Sequence, residues 1–297
     1  MAARDILLTG GAGQVGTELI ARAPHDWRIV APSSAELDIT DRARVAEALA
    51  SRRWALVINA AAYTAVDRAE DDAAAAWAVN ATGAANLAAA AAAHAVPLIQ
   101  LSTDYVFDGT KPAPYLEDDP VAPLGVYGAS KEAGEQAVRA AQSRHVILRT
   151  AWVVSPHRVN FLKTMFRLAD EGRALRVVDD QLGSPTSAAD IAGAVIAVGR
   201  RLIEDPAAPT GTYHFASAGE ATWRELAAFA LGARAAHGAA APRVEAIATS
   251  DYPTRAKRPM NSRLATGKIA RDFGIRPRPW REAIAEVVEA LAEAATR

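Results

Sequence analysis

A glycine-rich turn between a short apolar strand and a helix restricts the fold most. The strand predicted over 5–9 runs into Gly10, Gly13 and Gly16, and a helix is predicted over 14–23. Glycines at such a turn allow a tight reversal and let the backbone approach a pyrophosphate, which a helix N-terminus attracts. The segment predicts a dinucleotide site. Its glycines are spaced by three and three residues, whereas the plain Rossmann fingerprint has spacings of two and three. A turn that serves packing only is the alternative.

Short apolar strands and helices alternate through the first two thirds of the chain. Nearly continuous apolar strands joined by helices indicate a parallel sheet covered on both faces. We therefore predict an α/β fold, a Rossmann-type doubly wound parallel sheet. Besides the first strand and helix, the predicted strands are 27–31, 55–60, 97–102 and 145–150, and the predicted helices are 41–51, 73–94 and 126–141.

The pattern becomes less regular after Trp152, which suggests a second lobe. We predict a dinucleotide-binding domain over 1–150 and a smaller, partly interleaved lobe over 151–297 that mainly binds substrate, with some segments returning to the first domain. Residues 204–211 read as a loop. The remaining predicted elements are a strand over 175–178 and helices over 161–171, 189–203, 222–231 and 280–295.

Composition excludes several classes of protein. The 33 basic and 34 acidic residues leave a net charge of −1, which gives no reason to expect a nucleic acid polymer as partner. Cysteine is absent, which excludes a thiol nucleophile, and the six histidines show no metal-ligand spacing. No apolar run approaches about 18 residues, so we expect no membrane segment and a cytoplasmic protein.

Tyr127 and Lys131 lie four residues apart on a predicted helix and therefore share one face. A phenol is a poor proton donor or base near neutral pH, and an adjacent ammonium favours its ionised form. Thr103 follows the strand over 97–102, at the end where open α/β sheets bind ligands, and can hydrogen-bond a carbonyl oxygen. Taken alone, such a Tyr and Lys are usually an exposed pair.

Several motifs in chain order resemble the extended short-chain dehydrogenase/reductase family, and the likeness covers nearly the whole chain. Later motifs resemble those of its dTDP-4-ketosugar reductases. The resemblance implies NAD(P)H-dependent reduction of the 4-keto group of dTDP-4-dehydro-β-L-rhamnose to dTDP-β-L-rhamnose, a precursor of cell-surface polysaccharide. The motifs are TGGAGQVG (9–16), NAAAYTAVDRAE (59–70), STDYVFDG (102–109) and YGASK (127–131), then RTAWV (149–153), NFLKTM (160–165), DDQLGSPT (179–186) and RPMNSRL (258–264).

The resemblance also implies roles for individual residues. Tyr127 would donate a proton to the sugar carbonyl oxygen, Lys131 would lower the tyrosine pKa and hold the nicotinamide ribose, and Thr103 would orient the carbonyl. Asp104 would contact the sugar, and Trp152 would border the substrate, although a tryptophan there is as often a core residue. The residues implied in cofactor binding, besides Gly10, Gly16, Tyr127 and Lys131, are Gly13, Gln14 and Val15 under the pyrophosphate, Asp38 and Ile39 near adenine, and Ala61, Ala62 and Tyr63.

The choice between NADPH and NADH is read from the end of the second strand. An acidic residue there would hold the adenosine ribose, whereas Pro32, Ser33 and Ser34 follow this strand. Serines tolerate a 2′-phosphate, so NADPH is favoured and NADH stays open. Asp38 belongs to the adenine site or, with equal weight, is a cap or loop acid before the helix at Asp41.

Two further assignments leave alternatives open. Arg258 could pair with the substrate pyrophosphate through its planar fork, or it could be a solvated loop arginine. Glu18 matches a position associated with Mg²⁺ in some members of the family. The rest of that acidic set is not found in the sequence, so Mg²⁺ is a weak expectation.

Competing functions also remain open. Dehydratases of the family carry a glutamate where this chain has Tyr105, which argues against elimination of water. A reductase of another dTDP-4-keto-6-deoxyhexose would use the same residues. A non-catalytic NAD(P)-binding regulatory subunit is the alternative from another class, although it would have little reason to keep Thr103, Tyr127 and Lys131. The final helix, 280–295, could support a homodimer.

Overall fold

The computed structural model of the chain describes residues 3–239 and 242–295. The strands are β1 (Arg4–Thr9), β2 (Trp27–Val30), β3 (Trp54–Asn59), β4 (Leu98–Thr103), β5 (His145–Thr150), β6 (Val153–Val154), β7 (Leu175–Val178), β8 (Leu182–Gly183), β9 (Thr186–Ser187), β10 (Gly211–His214), β11 (Ala221–Thr222) and β12 (Val244–Ile247). The α-helices are α1 (Gln14–Ala21), α2 (Arg42–Ala50), α3 (Val66–Ala69), α4 (Ala73–Trp77), α5 (Ala84–Ala93), α6 (Val126–Ala141), α7 (Phe161–Asp170), α8 (Ala188–Glu204), α9 (Trp223–Ala235), α10 (Gly267–Phe273) and α11 (Trp280–Ala295).

A parallel sheet lies at the centre of the molecule. Its six strands within the described residues follow the order β10, β5, β4, β3, β1, β2, and every neighbouring pair is parallel. The predicted α/β doubly wound sheet is confirmed. Strand β1 lies next to the edge strand β2 and has β3 on its other side, so the strand order reverses at β1. Open α/β sheets bind ligands beyond the carboxyl ends of their strands at such a reversal.

Helices cover both faces of the sheet because successive strand residues point to opposite sides. Ile6 and Leu8 of β1 belong to the core on one face, which α1 and α8 cover. Leu7 belongs to the core on the other face, which α2 and α5 cover. Each of these three side chains is at most 1 % exposed. Burial on both faces explains why these strands are nearly continuous apolar runs in the sequence.

The helix predicted over 73–94 is interrupted. Between α4 and α5 the chain forms a π-helical segment, Ala78–Gly83. At its end, Gly83 lies against the side chain of Ile39, where an added Cβ would come within 2.6 Å of the isoleucine carbons. Alanine is a strong helix former, so the alanine-rich sequence carries no signal for the break. Single π turns inserted in α-helices are frequent at functional sites.

The later part of the chain builds a second core and also returns to the first sheet. Trp152, Trp280 and Leu226 belong to the second core, which α7, α9 and α11 surround. Helix α8 and strand β10 follow residue 151, yet α8 packs on α1 and β10 pairs with β5. The sequence did not predict β10 or β12, and α9 continues to Ala235, beyond its predicted end at 231. The domain boundary at 150 stays a prediction.

The described residues contain no helix that combines the length and the apolar character needed to cross a lipid bilayer.

Two neighbouring residues of α1 test which helix face supports the sheet. Leu19 is fully buried, whereas Ile20 is 47 % exposed. Leu19→Ala should lower the free energy of unfolding by about 2–5 kcal/mol because it leaves a cavity in the core. Ile20→Ala should change it by about 0.5 kcal/mol or less. Urea denaturation followed by circular dichroism measures both, and equal losses would contradict this packing.

Candidate active site

The glycine turn forms a cradle at the carboxyl end of β1. Gly10 has a φ of +77°, and a Cβ on it would overlap the backbone of Ala60 and Ala61. Gly16 packs just as closely on the carbonyl oxygen of Gly10. Gly13 is the N-cap of α1, where no side chain caps the helix and no acidic residue lies in the first turn. The free N–H groups of this helix end fit a pyrophosphate.

Gln14 ties this cradle to the second lobe. Its Oε1 accepts hydrogen bonds from Ser155 Oγ at 2.8 Å and Asn160 Nδ2 at 3.0 Å. Asn160 also caps α7 by accepting a hydrogen bond from Lys163 N. Val15, next to Gln14, packs against the core that α1 and α8 cover. The loop over 153–160 is thereby held against the start of α1.

A chain of buried amides holds the loop after β3. Asn59 Oδ1 accepts hydrogen bonds from Thr9 Oγ1 at 2.6 Å and Ala61 N at 3.1 Å. Asn59 Nδ2 donates to Gln100 Oε1 at 2.7 Å. The half-exposed segment Ala61 to Tyr63 therefore lies beside the glycine cradle, at the point where the strand order reverses.

Asn80 is a positioning residue that the sequence analysis missed. Its Oδ1 accepts a hydrogen bond from Tyr63 N at 2.8 Å, and its Nδ2 donates to Tyr63 O and to Ser130 Oγ on α6. Asn80 lies in the π-helical segment of the alanine-rich helix, so this segment carries the amide that holds Tyr63. The available signal was an amide in an apolar helix, since buried polar groups need partners, but Asn86 gives the same signal and bonds elsewhere, to Ile39 O and Thr40 O.

The residues predicted near adenine lie in the loop between β2 and α2. Asp38 is exposed and accepts hydrogen bonds from Thr40 N and Oγ1, and Asp41 rather than Asp38 caps α2. Ile39 is buried. In the same loop Ser33 donates hydrogen bonds from N and Oγ to Glu36, so a carboxylate lies beyond β2 that the sequence analysis did not single out.

Tyr127, Lys131 and Thr103 come together at the junction of β4 and α6. Lys131 is 4 % exposed and its Nζ donates to Leu101 O of β4 at 2.7 Å. Burial lowers the pKa of Lys131 to about 8, and the charge of Glu135 opposes this shift. Thr103, at the end of β4, is also buried.

The Tyr127 phenol has a raised pKa rather than a lowered one. Burial is the main cause, the charge of Asp104 adds to it, and a hydrogen bond with Thr103 opposes it. From the sequence we expect the lysine to favour phenolate, but removal from water and not Lys131 sets the direction of the Tyr127 pKa here. The phenol keeps its proton at neutral pH, which suits a proton donor.

Asp104 is a buried carboxyl with one free oxygen. Its Oδ1 accepts a hydrogen bond from Thr103 Oγ1 at 3.0 Å, and Oδ2 has no hydrogen-bond partner among the described residues. Burial raises the pKa of Asp104 to about 6. The neighbouring Tyr105 ring stands edge-on to Tyr127, with 5.5 Å between ring centroids. An unpaired buried polar atom beside the tyrosine can receive a ligand group.

Trp152 packs on another tryptophan. Its ring lies 3.6 Å from that of Trp223 and nearly parallel to it. Its backbone has a φ of +49°, which is uncommon for a bulky residue and needs such support. Gly183 lies against the ring where any side chain would overlap it. The structure thus accounts for Trp152 as a core residue, and its contact with substrate stays a prediction.

Arg258 is held in place rather than solvated. Its Nη2 donates to Asp67 Oδ2 at 2.5 Å, and its guanidinium lies 5.9 Å from the centroid of the Tyr105 ring. The side chain is 19 % exposed, and Nη1 is buried without a hydrogen-bond partner among the described residues. That free donor is near the predicted catalytic residues, so Arg258 is available to an anion.

Glu18 has an arginine and a histidine as its side-chain partners. It pairs with Arg22 at 2.9 Å and with His157 at 3.0 Å. In the chain as described, 3–239 and 242–295, no group of three or more His, Asp or Glu side chains could hold a metal ion. Mg²⁺ stays an expectation of the sequence alone.

The fold and the cradle define a Rossmann-type dinucleotide-binding protein. The family described as RmlD substrate binding domain matches residues 4–293, and the chain belongs to that family. It is 44 % identical to the dTDP-4-dehydrorhamnose reductase of Sinorhizobium fredii, over 96 % of this chain and 97 % of that one.

Solved structures agree with this assignment. A dTDP-4-dehydrorhamnose reductase from Clostridium acetobutylicum superposes with a TM-score of 0.90 at 35 % identity, covering 97 % of this chain and 99 % of that one. The enzyme of the same name from Bacillus anthracis, in complex with NADP, also has a TM-score of 0.90, at 32 % identity with the same coverage.

The cradle makes a testable prediction at Gly13. Its φ of −76° and ψ of 174° suit any residue, and an added Cβ would lie 3.2 Å from Gly10 O, a tight contact that a small shift relieves, so Gly13→Ala should still fold. The added methyl group lies where the helix N-terminus would meet the pyrophosphate, and the dissociation constant for NADPH should rise about tenfold or more. Fluorescence titration measures it. Gly193→Ala, in α8 with open space around the added carbon, is the control and should bind normally. Equal binding by both variants would contradict the assignment.

Asp104 makes a prediction about stability and pH. Because its pKa rises from 3.8 unfolded to about 6 folded, its contribution is fully favourable below pH 4 and is lost as pH rises through 6. Two pKa units correspond to about 3 kcal/mol. Asp104→Asn should therefore gain stability over wild type between pH 4 and 8.

The control is Asp108, whose pKa is lowered by hydrogen bonds from Thr110 and Tyr115. Its contribution is favourable above pH 4 and is lost in acid, so Asp108→Asn should lose stability at pH 8. Urea denaturation at several pH values measures both. A parallel response of the two variants would show that burial does not raise the Asp104 pKa.

Proposed function

We propose that this chain is an NAD(P)H-dependent reductase that converts dTDP-4-dehydro-β-L-rhamnose to dTDP-β-L-rhamnose, a precursor of cell-surface polysaccharide. The observation that carries the proposal is the protonated, partly exposed Tyr127, which is hydrogen-bonded with Thr103 and precedes Lys131 by one turn of α6, at the edge of the sheet that holds the glycine cradle. Relatives named dTDP-4-dehydrorhamnose reductase over nearly the full length support the choice of substrate.

Reduction of a ketone adds a hydride to carbon and a proton to oxygen. A bound reduced nicotinamide supplies the hydride. Tyr127 donates its phenolic proton to the oxygen at carbon four, and Thr103 orients that oxygen by a hydrogen bond. Lys131 is a buried cation next to the tyrosine, and it stabilises the negative charge that remains on the phenol oxygen.

The residues of the cradle fit the cofactor. Gly10, Gly13 and Gly16 would admit the pyrophosphate, with Gln14 and Val15 beneath it, and Lys131 would hold the nicotinamide ribose. Asp38 and Ile39 would lie near adenine, and Ala61 to Tyr63 would line the opposite side.

We propose NADPH as the preferred form, supported by Ser33 and Ser34 after β2 and by the NADP complex of the Bacillus anthracis relative. Glu36, which holds Ser33, would have to turn away from a 2′-phosphate.

A cavity next to Arg258 is suited to the nucleotide part of the substrate. Its volume of about 590 Å³ lies within the usual range for small-molecule sites. We propose that Arg258 pairs with the pyrophosphate, Asp104 contacts the sugar, and Trp152 borders it. The cavity is lined, among others, by Asp108, Thr110, Thr249, Tyr252, Lys257 and Met260.

The proposal includes a cytoplasmic location, where NADPH and nucleotide sugars are available, and a homodimer. The apolar face of α11 already packs on α9, so that helix offers less to a second copy than its sequence suggests. Trp77 in the alanine-rich region is 43 % exposed and is a better candidate for such a contact. Light scattering of the purified protein determines the oligomeric state.

The direct test is absorbance of the reduced nicotinamide with dTDP-4-dehydro-L-rhamnose, using NADPH and NADH separately, followed by NMR of the product sugar. Rapid oxidation with a rhamnose product supports the proposal. The talose epimer as product would indicate a reductase of the same class with opposite stereochemistry. Tight cofactor binding without oxidation would favour a regulatory subunit.

Tyr127→Phe tests the proton donor. The variant should lose at least about a hundredfold in kcat because general acid catalysis contributes that much, while the dissociation constant for NADPH stays within about twofold. Tyr213→Phe is the control, since that hydroxyl donates to Asp272 on α10, away from the site. It should keep full turnover. A fully active Tyr127→Phe enzyme would eliminate the mechanism.

A further inference from the structure

Helix α6 carries a third ionisable residue in line with the proposed catalytic pair. Tyr127, Lys131 and Glu135 follow each other at intervals of four residues, so they share one face of the helix. Glu135 is 1 % exposed. A buried carboxylate at this position needs a reason, because burial of a charge is expensive unless it is paired.

Arg149 of β5 holds this carboxylate. Its Nε donates to Glu135 Oε1 at 2.9 Å, and its Nη2 donates to Oε2 at 2.7 Å. Arg149 is itself only 2 % exposed, and Arg139, which is 35 % exposed at its side chain, forms a second ion pair with Glu135 Oε2 at 2.9 Å. Arg149 holds the pKa of Glu135 down, at about 2, against the effect of burial. Glu135 therefore carries a fixed negative charge at every pH at which an enzyme works.

Lys131, one turn away, depends on such a charge. Its hydrogen bond to Leu101 O satisfies one of its three donors, and burial disfavours its charged form. Asp67 is paired with Arg258, and Glu132 directly follows Lys131 in the helix, so it does not share the face on which Lys131 and Glu135 lie. Helix α6 and the elements packed on it carry several other charged or titratable groups around Lys131. These are Asp67, Arg68, Asp104, Tyr105, Tyr127, Glu132, Glu135, Arg139, His145 and Arg149. Of these, Glu135 is the one that stabilises the ammonium.

We propose that Glu135 is a positioning residue of this site, which keeps Lys131 charged beside Tyr127 while Arg149 fixes Glu135 in place. The carboxylate touches neither substrate nor cofactor. It acts through the lysine, and the arginine prevents it from turning toward the lysine and neutralising it in a closed ion pair. The catalytic consequence rests on the proposed function, whereas the charge on Lys131 can be measured without turnover.

The experiment is an NMR titration of the full chain labelled with ¹³C at lysine Cε. The sequence contains five lysines, so the spectrum is simple, and Lys131→Met assigns the signal. In Glu135→Gln the titration midpoint of Lys131 should fall by about one pH unit, which is a tenfold change in its proton affinity. An unchanged midpoint would overturn the proposal.

Glu132→Gln is the matched control. Glu132 lies on the same helix, is buried and is 3.7 Å from the same arginine. Burial and the charge of Glu135 raise the pKa of Glu132, so its replacement removes a carboxyl of the same cluster that lies off the Lys131 face of the helix. It should leave the Lys131 midpoint within about 0.3 pH units, a bound set by the one-unit shift expected for Glu135. An equal shift in both variants would show a general effect of the cluster and would reject a specific role for Glu135.

A second variant covers the case in which Glu135→Gln fails to fold because it strands a buried arginine. Glu135→Gln combined with Arg149→Met removes both charges and keeps similar volumes. The Lys131 midpoint should again be lower than in wild type, and a wild-type midpoint in this double variant would overturn the proposal.

The pH profile of turnover links the charge to the reaction. In Glu135→Gln the pH at which kcat falls on the alkaline side should move down by the same amount as the NMR midpoint, with KM changed less than kcat. An NMR shift with no change in the profile would refute the role in the reaction. Failure of the wild-type protein to reduce any dTDP-4-ketosugar would reject the proposed function and leave the NMR result to decide the charge on Lys131.

Discussion

The alignment of six parallel strands is the constraint on which the rest of the structure depends. Because the strands run in one direction, their carboxyl ends meet at one edge, and every loop that leaves this edge ends near the others. The glycine cradle after β1, the Ala61 to Tyr63 segment after β3 and Thr103 after β4 lie at this edge, and the hydrogen bonds of Asn59 and Asn80 hold the middle segment in place. The rest of the chain packs around this edge, and the resulting burial shifts the pKa values of Asp104, Tyr127 and Lys131.

Much of the fold was predictable because its signals are local. The glycine turn, the apolar strands and α6 depend on residues close in sequence, and their bounds agree with the structure within a few residues. Strand β10 was missed because Gly211 to His214 contains polar residues, and only pairing with β5 makes them a strand. The π-helical segment was missed because its cause, the bonds of Asn80 to Tyr63 and Ser130, joins distant parts of the chain.

In the candidate site, too, features with local sequence signals were predicted, and features set by contacts between distant residues were not. Tyr127, Lys131 and Thr103 were predicted from their motifs, and the structure brings them to one place. The direction of the Tyr127 pKa was predicted wrongly, because the sequence shows the neighbouring lysine but not the loss of water. Arg258 and Asp67 are far apart in sequence, and so are Trp152 and Trp223. No local sequence pattern could therefore predict these two contacts.

The π-helical segment determines how the alanine-rich helix would respond to the deletion of one residue. A π turn contains one more residue than an α turn, so the segment Ala78–Gly83 stores an insertion inside a helix. Removal of a single residue from this segment would let the helix regain a regular α-helical winding, so that α4 and α5 keep their orientation while the residues within the segment shift around the axis. Asn80 would then lose its hydrogen bonds to Tyr63 and Ser130. The extra residue is therefore part of the site, although it lies in the most repetitive stretch of the sequence.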